Sequence, residues 1–253
     1  MIVRDEGEHW SVVLQTDHAE LSGHMARAWG ASAPVTLASA RHDDGWAVWE
    51  RAPLLAPGTA RPQGFLEVNV PTHLAFWRAA TAAVVDEDPH AGLLVSMHGT
   101  GIYRGRYGTH AEARFGDEVQ SQVDAFVAEQ EKLQSGLAEG LELDEGERWA
   151  GYRLLQTVDR LSLHFCVTDP ESGDRQTIER VPIGDAGNET EMTLTPLGPY
   201  RVCLDPSPFG AAPERFELLR RAVPKREWRD HASFRRDLWA TEPERLAITI
   251  EGP

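Results

Sequence analysis

Residues 147–166 are apolar on almost every side: Trp149, Tyr152, Leu154, Leu155, Val158, Leu161, Leu163, Phe165 and Cys166 leave no continuous polar face. A helix of that kind belongs at the centre of a fold, not on its surface. Yet it carries Asp159, which shares a helical face with Tyr152 and Leu155 and so points into the core. A lone buried carboxylate is costly unless it is paired or ligates a metal.

Potential partners come earlier in the chain, in the order His18, His42-Asp43, His73 and His98. Asp17 and Glu20 have capping-box spacing, which predicts a helix over 17–29 with His18, Leu21 and Met25 on one side. Pro34 suits the first turn of a second helix that runs through Val35, Ala38 and His42 to Gly45. A third starts near Pro71, with His73, Phe76, Trp77, Ala80 and Val84 at helical spacing. Asp88-Pro89 opens a fourth as cap and first residue, carrying Leu94, Val95 and His98 on one face. Between these lie a proline-rich loop over 51–71 and a Gly/Tyr/Arg-rich stretch over 99–116 that reads as a mobile loop. Residues 117–139 predict a solvated amphipathic helix.

After residue 167 the texture changes. Turn residues separate short segments near 175–183, 189–196, 199–205 and 245–251, with helical stretches expected at 213–221 and 231–240. The expected fold is therefore mainly α: a metal-binding helical domain over 1–167, followed by a smaller α+β C-terminal region over 168–253.

Composition narrows the function classes. Lys and Arg number 25 against 40 Asp and Glu, a formal charge of −15, which argues against a nucleic-acid partner held by its phosphates. No apolar run approaches the ~18 residues of a transmembrane helix, and the acidic start lacks the apolar core of a signal peptide. A cytoplasmic location and no membrane partner are expected. Cys166 and Cys203 lack metal spacing and read as core thiols.

A single histidine on an apolar face is usually a hydrogen-bonded core residue, and an isolated His-Asp pair is common. The joint pattern is stronger. Imidazoles and acids on the inner faces of five helices supply enough donors for two divalent transition-metal ions (iron, manganese or zinc). Gln15 either points into such a site or finishes a strand. Arg104 and Arg106 either clamp a phosphate or belong to a solvated loop. The glycines at 99–108 lack the strand and helix order of a dinucleotide fingerprint.

In the order His18, His42-Asp43, His73, His98, Asp159, residues 10–166 resemble the dinuclear subgroup of the HD-domain superfamily. The whole chain also resembles a related bacterial family of unknown function, through Gln15-x-x-His18, His42-Asp43-Asp44-Gly45-Trp46, Val95-Ser-Met-His98 and Asp159-Arg-Leu-Ser-Leu163. The resemblance implies an HD-like helical bundle in which Asp43 bridges two ions. His18, His42 and Asp159 would serve one ion, and His73 and His98 the other. It further implies Asp43 and Asp159 as the catalytic acids of a phosphohydrolase acting on a small phosphate ester. Many dinuclear members carry Lys or His just after the HD pair, where this chain has Asp44-Gly45-Trp46, which counts against phosphodiester and polyol substrates. Two alternatives remain: an HD-type di-iron oxygenase cleaving a C–H or C–C bond, and a non-enzymatic, metal-stabilised interaction protein.

Overall fold

The computed structural model describes residues 1–183, 188–210 and 212–253. At its centre is a seven-stranded mixed sheet in the order β1-β2-β6-β7-β5-β4-β3. The start of the chain supplies β1 (Ile2–Asp5) and β2 (His9–Val13). The last third supplies β3 (Gln176–Pro182), β4 (Glu189–Gly198), β5 (Arg201–Asp205), β6 (Glu214–Pro224) and β7 (Glu244–Glu251). Neighbours are antiparallel except β5 and β7, which run parallel.

This sheet overturns the expected fold class of a mainly α, HD-like helical bundle with an appended α+β region. Strand β2 pairs with β6, Trp10 lying opposite Val223, so one sheet draws strands from both ends of the chain. Two local features hid it. Strand β1 has only four residues, too few for an alternating pattern to show. Residues 213–221, expected to be helical, form most of β6 instead. The adjacent apolar pair Leu218-Leu219 mimics a helical face, but pairing with β2 on one side and β7 on the other decides the conformation.

The helices are α1 (Gln15–Ala28), α2 (Ala33–Arg41), the short α3 (Ala47–Glu50), α4 (Val70–Glu87) and α5 (Pro89–Tyr103). A single turn, α6 (Gly105–Gly108), precedes α7 (Asp117–Gly140), α8 (Glu145–Val167) and α9 (His231–Ala240). Asn69, Asp88 and Asp144 cap α4, α5 and α8, each accepting a backbone N–H from the first turn. Helix α1 starts two residues before the expected cap. The Gln15 N–H donates to the buried Glu50 carboxylate at 2.7 Å, so α1 is capped from α3 and not by Asp17.

Helices α1 and α8 lie on one face of the sheet, packing Leu21, Met25, Leu161 and Phe165 against Val202, Leu204, Ile248 and Ile250. Full burial of such side chains contributes about 1.5–3 kcal/mol each. Helices α2, α4 and α5 form the next layer, and α7 covers Trp77 and Tyr103 with Phe126 and Val127. Strand alternation puts Val12 and Val223 on the opposite face, beneath Phe234 and Leu238 of α9. Where a mobile loop was expected from residue 99, α5 runs on to Tyr103. Gly99 and Gly101 serve close packing there, because a Cβ would crowd the Trp77 indole and the Tyr152 hydroxyl. No described helix is long and apolar enough to cross a membrane.

Candidate metal centre

Helix α1 carries His18, the last turn of α2 ends on His42, and α8 carries Asp159. Asp43 leaves the helical conformation (φ −102°, ψ 14°), which lets a residue adjacent to His42 reach the same centre. Gly45 is required next, since a Cβ there would overlap the Phe76 carbonyl of α4. The His-Asp turn is thereby wedged against α4.

The His18 and His42 Nε2 atoms are 3.3 Å apart. Asp159 Oδ1 lies 3.2 Å from His18 Nε2 and 3.6 Å from His42 Nε2. Asp43 Oδ2 is 3.6 and 3.7 Å from the same two nitrogens. Donors bound ~2.1 Å from a tetrahedral ion sit ~3.4 Å apart, so this triangle has the edge lengths of a coordination shell. Among the described residues, His18, His42 and Asp159 form a group whose ligand atoms all lie within 4.8 Å of one another.

The far sides of the rings fix which nitrogen faces inward. His42 Nδ1 lies 2.9 Å from the Ser39 carbonyl, which can only accept, so Nδ1 carries the proton. His18 Nδ1 lies 2.6 Å from Ser162 Oγ, which also lies within hydrogen-bonding distance of the Asp159 carbonyl at 3.0 Å and of Ser22 Oγ at 2.7 Å. With Ser39 behind His42 Nδ1 and Ser162 behind His18 Nδ1, both Nε2 atoms face one centre, 3.3 Å apart. Hydrogen bonds behind the rings are how proteins orient metal-binding imidazoles.

Electrostatics separates the two acids. Burial raises the Asp159 pKa, but Arg106 and hydrogen bonds from His18 and His42 outweigh it and hold the carboxyl well below its usual range. Burial also acts on Asp43, and there it prevails over His42 and His18, pushing the carboxyl up. At His42 burial lowers the imidazole pKa, yet Asp43 and Asp159 outweigh it and push it up to about 9.

The remaining predicted ligands stand farther out. His98 Nε2 is 3.9 Å from Asp159 Oδ2, and burial holds its imidazole well below its ordinary pKa. His73 bonds through Nδ1 to the Tyr103 hydroxyl at 3.0 Å, and burial lowers it to about 4. Trp77 contacts both rings, with centroids 5.3 Å from His98 and 5.5 Å from His73. The fold thus gathers His18, His42, Asp43 and Asp159 tightly, touches them with His98, and sets His73 beside Trp77.

A cavity of about 380 Å³ opens over this cluster. Three buried polar atoms on its lining residues have no hydrogen-bond partner: Gln15 Oε1, His98 Nδ1 and Trp77 Nε1. Unpaired polar groups of this kind are rare in a native interior and mark a place where a ligand or ion completes the set. The coordination-shell spacing and the oriented imidazoles make the donor set a fit for a divalent transition metal. Arg106, which the sequence left between two roles, donates from Nη1 to Asp159 Oδ2 at 2.9 Å, while Arg104 turns outward to Glu131. Sequence reasoning missed Ser39, Ser162 and Tyr103. Ser162 had a signal, since it sits one turn after Asp159 on the same helix; Ser39 and Tyr103 had none.

Against known proteins, the chain matches the model of the family described as Protein of unknown function (DUF3891) over residues 1–225. The match ends just after β6, leaving α9 and β7 beyond it. No curated protein and no solved structure matches the chain. No link to the HD-domain superfamily comes from these comparisons, and that resemblance rests on the ligand series alone. With most of its length covered by one family model, the chain belongs to the DUF3891 family.

Proposed function

We propose that this protein is a metal-dependent phosphohydrolase of HD type acting on a small phosphate ester. His18, His42, Asp43 and Asp159 would hold a divalent transition-metal ion, with His98 and His73 as donors toward a second. The observation that carries the reading is the pair of oriented imidazoles, whose Nε2 atoms lie 3.3 Å apart and share Asp159 Oδ1. A divalent ion held there supplies an activated water and polarises a phosphoryl oxygen.

The chain's own groups divide the rest of the work. Asp159 stays ionised beside Arg106 and serves as a fixed ligand. Asp43, whose Oδ2 lies 3.6 Å from His18 Nε2, would orient the attacking water at the ligand set. Arg106 offers a guanidinium to a phosphoryl oxygen at the edge of the cavity.

The test is elemental analysis of the purified protein, followed by assay of the metal-loaded form against phosphomonoesters, diesters and nucleotides. Stoichiometric metal with turnover that is lost in Asp43→Asn supports the reading; a metal-loaded protein inert toward the whole panel refutes it. A second reading, an HD-type di-iron oxygenase, is favoured by the extra imidazoles of His73 and His98 flanking Trp77 at the same cavity. Stoichiometric iron with a mixed-valent magnetic signal selects that alternative, and redox-silent metal selects hydrolysis.

A further inference from the structure

The cavity over the ligand set is unevenly built. Among its described lining residues Arg106 is the one Lys or Arg. Most of the wall is apolar: Phe65, Leu66, Val70, Ile102, Phe115 and Leu163 face it. Leu66 lines this wall while remaining 84% exposed, so it stands at the mouth of the cavity.

Arg106 is presented by strained backbone. Gly105, Arg106, Tyr107 and Gly108 are all left-handed, with φ of 54°, 48°, 53° and 97°. Two consecutive non-glycine residues rarely hold that conformation unless their surroundings impose it. Here Arg153, only 1% exposed, supplies the constraint: its Nη1 donates to the Arg106 carbonyl at 3.0 Å and its Nη2 to the Tyr107 carbonyl at 3.1 Å. Gln156 Oε1 in turn accepts from Arg153 Nη1 at 2.8 Å. The result aims one guanidinium into the cavity. Its Nη1 is taken by Asp159, and its Nε and Nη2 have no protein partner among the described residues. Gln15, 4% exposed, adds an unpaired acceptor, Oε1, on the same cavity.

We infer that the cavity selects a phosphomonoester with a compact apolar body, the phosphoryl group held by Arg106 and the body by the Leu66–Phe115 wall. The inference rests on the phosphohydrolase reading and names the substrate class of that site. Hydrolysis adds water across the ester P–O bond and releases the alcohol and inorganic phosphate. Polyphosphates are disfavoured, because beyond the metal ligands the cavity of about 380 Å³ offers one guanidinium and mostly apolar walls, with no further Lys or Arg among its described lining residues for a second or third phosphoryl group. A neutral apolar molecule would leave Nε and Nη2 unpaired. The Gln15 acceptor suits a hydroxyl or a protonated phosphoryl oxygen on the substrate.

The test is calorimetric titration of the manganese-loaded protein with three non-hydrolysable probes: benzylphosphonate, methylphosphonate and a methylene-bridged triphosphate analogue, whose P–C–P links resist cleavage. Benzylphosphonate is expected to bind at least about tenfold more tightly than either of the others, because only it fills both the anionic and the apolar parts. Arg106→Gln and the rim variant Leu66→Asp should each weaken it about tenfold, the latter with metal content unchanged. Should Arg106→Gln lose metal, Leu66→Asp decides alone. The triphosphate analogue binding as tightly as benzylphosphonate, or an unchanged affinity in Leu66→Asp, overturns the inference. The two readings fail separately. Selective benzylphosphonate binding without hydrolysis of any aryl phosphate removes the hydrolase and keeps the cavity assignment, while hydrolysis that prefers nucleoside triphosphates does the reverse.

Discussion

The imidazoles of His18 and His42 meet Nε2 to Nε2 across 3.3 Å, the first held from behind by the Ser162 hydroxyl of α8 and the second by the Ser39 carbonyl of α2. Two neutral rings whose Nε2 lone pairs both face inward gain nothing from that approach, since the lone pairs oppose one another. The arrangement makes sense when a cation, either a proton shared with Asp159 or a metal ion, sits between them and the carboxylates. The first expectation is that His18→Ala and His42→Ala purify without metal, whereas the wild type loses thermal stability on chelation. At metal concentrations ~100-fold above Kd, the stabilisation lost would be about 2.7 kcal/mol. An unchanged melting temperature after chelation, with metal verifiably removed, would sink this expectation.

Proton and metal compete at His42. In the folded, metal-free chain its pKa is raised from 6.5 to about 9, so the folded state holds this proton more tightly than the unfolded one. The stabilisation it brings is complete below pH 6.5 and is lost as pH rises through 9. Metal has to displace the proton, so apparent affinity should climb with pH across that window, by up to about tenfold per unit. Competition with a chelator at pH 6.5 and pH 8.5 measures it, and equal affinities at the two values contradict the assignment.

Ser162→Ala removes the hydroxyl behind His18 Nδ1 without touching a ligand atom. Losing an orienting hydrogen bond of this kind typically lowers metal affinity ~10–100-fold. Metal titration of the variant, with circular dichroism to verify the fold, provides the check. Wild-type affinity would mean that packing alone orients the ring.

Gly45 and Gly136 should respond oppositely to alanine. At Gly45 the added methyl overlaps the Phe76 carbonyl, so the turn carrying Asp43 must shift, at a cost of about 1–3 kcal/mol together with weaker metal binding. Gly136 lies on the exposed face of α7 with open space around it, and alanine there should stabilise by about 0.5–1 kcal/mol. Urea denaturation of both variants tests the contrast, and a neutral Gly45→Ala would show that the turn adapts.

The comparison of sequence with structure divides along physical lines. Helical periodicity located α1, α4, α7 and α8 to within a few residues, because each buries one face, or nearly every face, over several turns. It also put His18, His42, His98 and Asp159 on inward faces, since a polar residue among apolar ones at helical spacing has nowhere else to point. The Arg106 guanidinium gave no comparable signal. It reaches Asp159 only because a left-handed turn is clamped by Arg153 from another helix, and a Gly-rich stretch does not reveal which of its arginines turns inward.

By itself the sequence determined the long helices, the inward direction of the ligand-type side chains and the lack of an apolar membrane-spanning run. Local spacing encodes all three. Tertiary structure alone decided that Ile2–Asp5 and Glu214–Pro224 are strands of one sheet. It also decided that four of the six candidate ligands close into one cluster while His73 stands beside Trp77. Strand pairing and convergence on a common centre depend on residues far apart in the chain, and no local pattern records those distances.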